Sequence, residues 1–115
     1  MIPKLDDFIA QALTKQWPAN AYVKEPGFSS LYVRIAKRYI DGEMQTTIDL
    51  ANMTASRPGK GAFTKLVERL RAQYGLIIYV ECVLNPRFEA KLVRMGFVQH
   101  TQHDPSSYYL LPEGE

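Results

Sequence analysis

The stretch that decides the fold is Met53-Thr54-Ala55-Ser56-Arg57-Pro58-Gly59-Lys60-Gly61-Ala62-Phe63-Thr64, which follows a β-like run and opens the most helical segment of the chain. Gly59 and Gly61 allow backbone conformations with positive φ and let a ligand approach the main chain. The first amides of the following helix have no intrahelical partner, so they attract an anion. With Arg57 and Lys60 beside them, the stretch predicts a cradle for phosphate or pyrophosphate. An ordinary Pro-Gly turn with solvated basic residues fits the same letters, and the loop alone does not choose between the two.

Composition and charge narrow the class of protein. The chain has 115 residues and 46% apolar content, which predicts one domain, residues 1–115, with a core that needs neither disulfides nor a metal. The net charge of +2 is interspersed, so no nucleic-acid partner is expected. The chain shows no signal-like start and no apolar run of about 18 residues, which predicts a cytoplasmic protein without a membrane partner. The lone Cys82 lies in an apolar run and is predicted to be a buried hydrophobe.

The first half of the chain predicts a helix followed by a hairpin. Apolar spacing predicts a helix over residues 5–13, a loop over 19–28, a strand over 31–40, a turn at Asp41-Gly42 and a return strand over 44–54. In the return strand one face is predicted to carry Thr46, Ile48, Leu50 and Asn52, and the other Thr47, Asp49, Ala51 and Met53. A buried Asn52 or Asp49 requires a hydrogen-bond partner, so each is either structural or part of a site.

The second half predicts helices alternating with strands. A helix over residues 63–74 stops at Gly75 and is followed by a buried strand over 76–84. Asn85 caps a second helix that begins at Pro86 and ends at Gly96. Two further strands, 97–103 and 107–111, predict a closing hairpin around residues 104–106. The strand-helix-strand unit predicts a right-handed crossover between parallel strands.

Two motifs at this separation resemble the signatures of the GNAT superfamily of acyl-CoA-dependent N-acetyltransferases. Residues 58–63, Pro-Gly-Lys-Gly-Ala-Phe, are similar to the family loop that wraps the CoA pyrophosphate, with Gly61 in the place of its first essential glycine. Residues 85–97 are similar to its Asn-led helix closing in Gly-Phe. The resemblance covers residues 28–111, and the N-terminal helix loosely. It implies an α/β (α+β) fold with a mixed, mostly antiparallel central sheet, a splayed parallel strand pair and flanking helices.

The resemblance also implies a function and a site. An N-acetyltransferase of this kind moves an acetyl group from acetyl-CoA to an amine of a protein or small molecule. Its pantetheine arm would pair with the backbone of the second hairpin strand as an added strand does. The cofactor-binding residues implied are Met53, Ala55, Arg57, Gly59, Lys60, Gly61, Ala62, Phe63, Thr64 and Asn85. The candidates for the proton acceptor are Asp49, Glu81 and Tyr108, with Tyr79 and His100 as further possibilities. No metal is expected, and the protein would act as a monomer or homodimer. The compact form resembles those that phages and other mobile elements encode.

Three positions depart from the family pattern and keep an alternative open. Pro58 stands where the family has Arg or Gln, Phe63 where it has a second small residue, and Leu92 where a tyrosine usually protonates the leaving thiolate. Because Leu92 cannot donate a proton, the alternative is a catalytically inactive scaffold that binds and modulates a partner protein. The intact glycine loop favours the enzyme, since a scaffold without a ligand needs no phosphate cradle. A P-loop nucleotide binder fits poorly, because the glycine four residues before a Gly-Lys-Ser/Thr unit is missing.

Overall fold

The computed structural model describes residues 2–15, 19–81, 83–100 and 106–112. Within these ranges the helices are α1 (Leu5–Leu13), α2 (Ala62–Tyr74) and α3 (Pro86–Arg94). The strands are β1 (Ala19–Tyr22), β2 (Phe28–Ile40), β3 (Glu43–Ala55), β4 (Ile77–Val80), β5 (Val98–Gln99) and β6 (Tyr108–Leu110). They form one six-stranded sheet in the order β1-β2-β3-β4-β6-β5.

The centre of the sheet is a short parallel pair. β3 and β4 run parallel from the pair Thr47 and Ile77 to the pair Leu50 and Val80, and α2 connects them. The other neighbouring strands are antiparallel. Beyond Leu50, β3 continues to Ala55 with no described strand on the β4 side, so the two strands diverge. This confirms the predicted mixed sheet with a splayed parallel pair and flanking helices.

The two faces of the sheet are buried in different ways. On the helix face, Ile48, Leu50, Ile78 and Val80 belong to one large core with buried residues of α1, α2 and α3. The opposite face, called the open face below, carries a smaller cluster of Ile40, Ile77, Tyr79 and Tyr109, to which no described helix contributes. All four residues of β4 are buried, as its apolar run predicts. Burial on the open face comes from neighbouring strands rather than from a covering helix.

A β-bulge at Ala51 changes the alternation of side chains along β3. Leu50 and Asn52 pair with consecutive residues of β2, so Ala51 is an inserted residue. From Asn52 onward the side chains therefore exchange faces: Asn52 is exposed, and Met53 packs against the large core. The predicted alternation is correct through Leu50 and wrong beyond it. A period of two in the sequence carries no mark of an inserted residue.

Other predicted boundaries also shift. The predicted loop over residues 19–28 contains β1, which pairs antiparallel with β2 from Ala19 and Ile35 to Tyr22 and Tyr32. That prediction was wrong because tertiary pairing, and not the strand propensity of Ala-Asn-Ala-Tyr, makes this edge strand. β4 and β6 are shorter than the strands predicted over 76–84 and 107–111. The strand predicted over 97–103 contains β5, but its residues 101–103, and residues 104–105 of the predicted turn, lie outside the described residues. Cys82 lies outside the described residues, so its burial stays a prediction.

Residues with positive φ lie in the turn between β2 and β3 and in the connection between β1 and β2. Asp41 (φ 53°) and Gly42 (φ 85°) form the predicted two-residue turn between β2 and β3. Gly27 (φ 93°) lies between β1 and β2, and a Cβ at this position would approach the Cβ of Ala62 to 3.0 Å. Its carbonyl oxygen accepts a hydrogen bond from the Ser56 amide at 2.9 Å. Gly27 therefore lets the connection before β2 lie directly against the start of α2.

Two alanine substitutions separate backbone strain from crowding at these glycines. Gly42→Ala should cost about 1 kcal/mol of unfolding free energy, because its added Cβ meets no atom within 4 Å and only the left-handed conformation is penalised. Gly27→Ala should cost at least about 2 kcal/mol, because crowding against Ala62 is added. Urea denaturation of both variants measures the difference, and equal losses would contradict the close packing at Gly27.

Candidate functional site

The glycine loop joins β3 to α2 and presents its backbone to open space. Gly59 (φ 84°) and Gly61 (φ 77°) are both left-handed, as the sequence predicts. A Cβ added at either position would meet no atom within 4 Å. Residues 56–60 are exposed. A ligand can therefore reach the main chain of this loop without displacing a side chain.

The helix that follows begins without a side-chain cap. Gly61 is the N-cap of α2, and no side chain accepts a hydrogen bond from its first amides. At α3, by contrast, the Asn85 Oδ1 accepts from the Arg87 amide at 2.9 Å and the Phe88 amide at 3.5 Å. The start of α2 therefore keeps unpaired donors and the positive end of the helix dipole for an external anion.

A cavity of about 520 Å³ opens beside this helix start. It is lined by Glu25, Pro26, Gly27, Ser56, Arg57, Lys60, Ala62, Lys65, Leu66 and Arg69. Four of these side chains are cationic and one is anionic, which gives the cavity a positive balance. The cavity therefore suits a ligand that carries several negative charges, and its volume is within the range of small-molecule sites.

An ion-pair network holds the walls of the cavity together. Arg69 of α2 donates to Glu25 Oε2 at 2.8 Å and to Asp6 Oδ1 of α1 at 2.9 Å. The Tyr74 hydroxyl donates to Asp6 at 2.6 Å, and this bond lowers the pKa of Asp6 below its ordinary value. Burial and the same hydrogen bond raise the pKa of Tyr74 to about 12. The network fixes α1 and the connection before β2 against α2, on the side where the cavity lies.

The predicted cofactor residues do not all lie in one place. Arg57, Lys60 and Ala62 line the cavity, and Gly59, Gly61 and Thr64 belong to the loop and the first turn of α2. Met53 and Ala55 lie on the part of β3 that has no described strand on its β4 side. The Phe63 side chain is buried in the large core, with its ring centroid 5.1 Å from that of Phe88. Asn85 is the helix cap, and its role toward a ligand stays a prediction.

Asp49 and Glu81 lie together on the open face, bound by arginines. Asp49 has no exposed surface, and its Oδ2 accepts from Arg38 Nη2 at 2.6 Å. The Thr47 hydroxyl donates to the other Asp49 oxygen at 2.5 Å. Glu81 accepts from Arg34 and lies 3.1 Å from Arg38 Nη2. Burial by itself would lower the pKa of Arg38. The hydrogen bond and charge of Asp49 have a larger, opposite effect, so the pKa of Arg38 is raised above its ordinary value. The geometry gives both carboxylates a structural partner, and their catalytic role stays a prediction.

The aromatic candidates lie on opposite faces. The Tyr79 ring packs under the Arg38 guanidinium, 3.9 Å from its Cζ, and its hydroxyl lies 2.7 Å from His100 Nδ1 on the open face. Tyr108 lies on the helix face and donates its hydroxyl to Glu89 of α3. Leu92 is fully buried in the large core. The position where the resembling family has a tyrosine is therefore a packing position in this chain.

Sequence reasoning missed part of the cavity. Lys65 and Arg69 line the cavity, and neither is among the residues that the sequence predicts for the site. They follow Gly61 by four and eight residues, so all three positions lie on one face of the helix. That spacing is the feature of the sequence that could have predicted both side chains in the site. Glu25 and Gly27 come from a distant part of the chain, and only the pairing of β1, β2 and β3 brings them there.

Comparison with known proteins supports the fold. No protein-family model and no curated protein matches the chain. The crystal structure of a KacTA–DNA complex matches with a TM-score of 0.52 and 18% identity over 93% of this chain and 78% of that one. The toxin AtaT, as a Tyr-to-Phe mutant bound to the C-terminus of the antitoxin AtaR, matches with a TM-score of 0.51 and 15% identity, over 70% of this chain and 57% of that one. The same complex with acetyl-CoA matches with a TM-score of 0.50 and 16% identity, over 71% of this chain and 59% of that one. At these identities the likeness shows the fold, which is GNAT-like, and this chain spans less than two thirds of AtaT.

Two absences hold for the described ranges. No described helix is both long and apolar enough to cross a membrane. Within the same residues, no group of three His, Cys, Asp or Glu side chains is placed to hold a metal ion.

Removing Asp49 tests whether the open-face pair is structural. Asp49→Ala should lower the unfolding free energy by about 3 kcal/mol, because the largely buried Arg38 guanidinium loses its fully buried partner and keeps only the half-buried Glu81 as a counter-charge. Glu68→Ala, at an exposed site on α2, is the control and should change it by no more than about 0.5 kcal/mol. Urea denaturation near neutral pH measures both. Equal stability of the two variants would contradict the structural role and leave Asp49 available for site chemistry.

Proposed function

We propose that the chain binds acetyl-CoA at the glycine loop and transfers its acetyl group to an amine of a protein or small molecule. The observation that carries the proposal is the uncapped start of α2, which opens onto a cavity with four cationic side chains. The segment of β3 that precedes this helix has no described strand on its β4 side. An anionic ligand with an extended, amide-containing arm fits both features together.

Each part of the proposed binding mode has a physical basis. The amides at the start of α2 would hold the pyrophosphate, with Lys60 and Arg57 adding charge. The β3 backbone near Met53 and Ala55 would pair with the pantetheine amides on the side that β4 leaves. When bound, acetyl-CoA supplies an activated thioester. The chain then has to position an amine beside it and provide a route for one proton.

The structural neighbours support the choice of acetyl-CoA as the proposed cofactor. One of the AtaT complexes contains acetyl-CoA, and its fold matches this chain. The proposal extends that ligand class to the present chain on the strength of its own loop and cavity. The acceptor is an amine, and nothing in the cavity selects between a protein and a small molecule.

The second candidate function is partner binding by an inactive scaffold. It is favoured by the burial of Leu92, which removes the usual proton donor of the resembling family. The AtaT structures contain an antitoxin segment, and the KacTA structure contains DNA. A protein partner is therefore compatible with the fold. The expectation that no nucleic acid binds rests on the charge pattern alone and stays a prediction.

Substitution at the two ends of α2 tests the cofactor site. Gly61→Asp should abolish acetyl-CoA binding in calorimetry, because it puts a carboxylate among the donors that would hold the pyrophosphate. The control is Gly75→Asp at the other end of the same helix, where the backbone is also left-handed and an added Cβ meets no atom within 4 Å. Gly75→Asp should bind as the wild type does. Loss of binding in both variants would attribute the effect to unfolding. Binding that persists in both would place the ligand elsewhere.

Turnover separates the enzyme from the scaffold. The purified protein, incubated with acetyl-CoA and peptides that carry a free α-amino group and one lysine, should yield an acetylated peptide detectable by mass spectrometry. A cytosolic extract widens the range of amines offered. Acetyl-CoA binding without acetylated product in either mixture would contradict the enzyme and support the partner-binding scaffold.

A further inference from the structure

A second cavity lies on the open face, at the end of the sheet opposite the glycine loop. Its volume is about 500 Å³, and its walls come from the turn between β2 and β3 and from the residues around β5 and β6. Asp41 and Gly42 of this turn precede β3, whereas the glycine loop follows Ala55 at the other end of the same strand. The length of β3 therefore separates this cavity from the proposed cofactor cavity.

The turn reaches this cavity across the sheet. In the strand order β4 lies between β3 and β6, yet the Tyr109 hydroxyl of β6 donates to Asp41 Oδ1 at 3.4 Å. His100, which follows β5, has two fixed contacts. Its amide donates to the Ser107 carbonyl at 2.8 Å, and its Nδ1 lies 2.7 Å from the Tyr79 hydroxyl. The turn and the residues around β5 and β6 are therefore held as two walls of one cavity.

The lining of the cavity is aromatic and carries negative charge. It includes the rings of Tyr39, His100 and Tyr109, and the last two are nearly perpendicular with centroids 5.7 Å apart. The Asp41 side chain is exposed, and no Lys or Arg is among the described residues that line the cavity. Burial, together with the charge of Asp41, raises the pKa of Tyr109, so this phenol stays uncharged at neutral pH. With His100 neutral, the lining therefore carries a single negative charge.

We infer that this cavity binds an organic ammonium ion. The face of a tyrosine ring and a carboxylate both attract a cation, and aromatic cages built in this way recognise choline and methylated lysine. Tyr39 is 62% exposed, so its ring is accessible to a ligand in the cavity. The volume is within the range of small-molecule sites. An anion would be repelled by the ring faces and by the Asp41 carboxylate, so the site differs in ligand class from the cavity beside α2.

A pair of compounds of equal shape tests the charge of the ligand. Choline is compared with its neutral analogue, in which carbon replaces the nitrogen. Titrations followed by NMR of isotope-labelled protein at about pH 8 should show choline binding about tenfold tighter than the analogue. The shifted amide signals should belong to the Asp41-Gly42 turn and to β5. Equal affinities for the two compounds would overturn the inference.

Two substitutions in the cavity have matched controls outside it. Asp41→Asn removes the charge and keeps a residue that tolerates the left-handed backbone of the turn, φ 53°. It should weaken choline binding by about threefold, and Tyr39→Leu should do so by a similar factor. Asp7→Asn on α1 and Tyr22→Leu on β1 change exposed side chains that do not line the cavity, and should bind as the wild type does. Wild-type affinity in both cavity variants would contradict the assignment.

Two further measurements identify the source of the ligand and separate this site from the proposed function. A peptide with one trimethyllysine that binds more tightly than choline would assign the site to a protein partner, whereas equal affinities would assign it to small molecules. Gly61→Asp, which should abolish acetyl-CoA binding, should bind choline as the wild type does. Absence of acetyl-CoA binding in the wild type would therefore leave the ammonium site standing, and absence of choline binding would overturn that site alone.

Discussion

The structure depends on a parallel strand pair that stops early. β3 and β4 pair through only four positions, and β3 then continues for five residues without a described strand on that side. Buried backbone donors and acceptors require partners, so an unpaired inner edge inside a sheet is a place for a ligand or a partner chain. The helix that connects the two strands begins at the same end of the sheet. The proposed cofactor site combines the divergence of the strands with the start of the helix.

The helix α2 contributes to the core and to the site through adjacent residues. Phe63 sends its ring into the core against Phe88 of α3, while the backbone of Gly61 and the side chain of Lys60 face outward. The large residue at position 63 is compatible with an anion site because the donors are main-chain amides. The large side chain at position 63 instead affects how α2 packs against α3, where its ring contacts the half-buried Phe88.

The open face of the sheet is stabilised by charge pairing where the other face uses helices. Arg34 and Arg38 of β2 neutralise Asp49 and Glu81, and the Arg38 guanidinium covers the Tyr79 ring. A fully buried carboxylate without such partners would be protonated or would destabilise the fold. The structure therefore separates two kinds of candidate from the sequence: Asp49 and Glu81 are paired on the open face, whereas Tyr108 lies on the helix face and donates to Glu89.

The sequence by itself determined the order of elements other than β1, the hairpin at Asp41-Gly42, the left-handed glycines before α2 and the Asn85 cap. Each of these depends on neighbouring residues and local conformational preference. It also predicted which class of ligand the loop attracts. Only the tertiary structure decided the partners of Asp49, the faces beyond the bulge at Ala51, the edge strand β1 and the cavity walls at Glu25 and Arg69. These depend on register and on contacts between residues far apart in the chain, which local patterns do not encode.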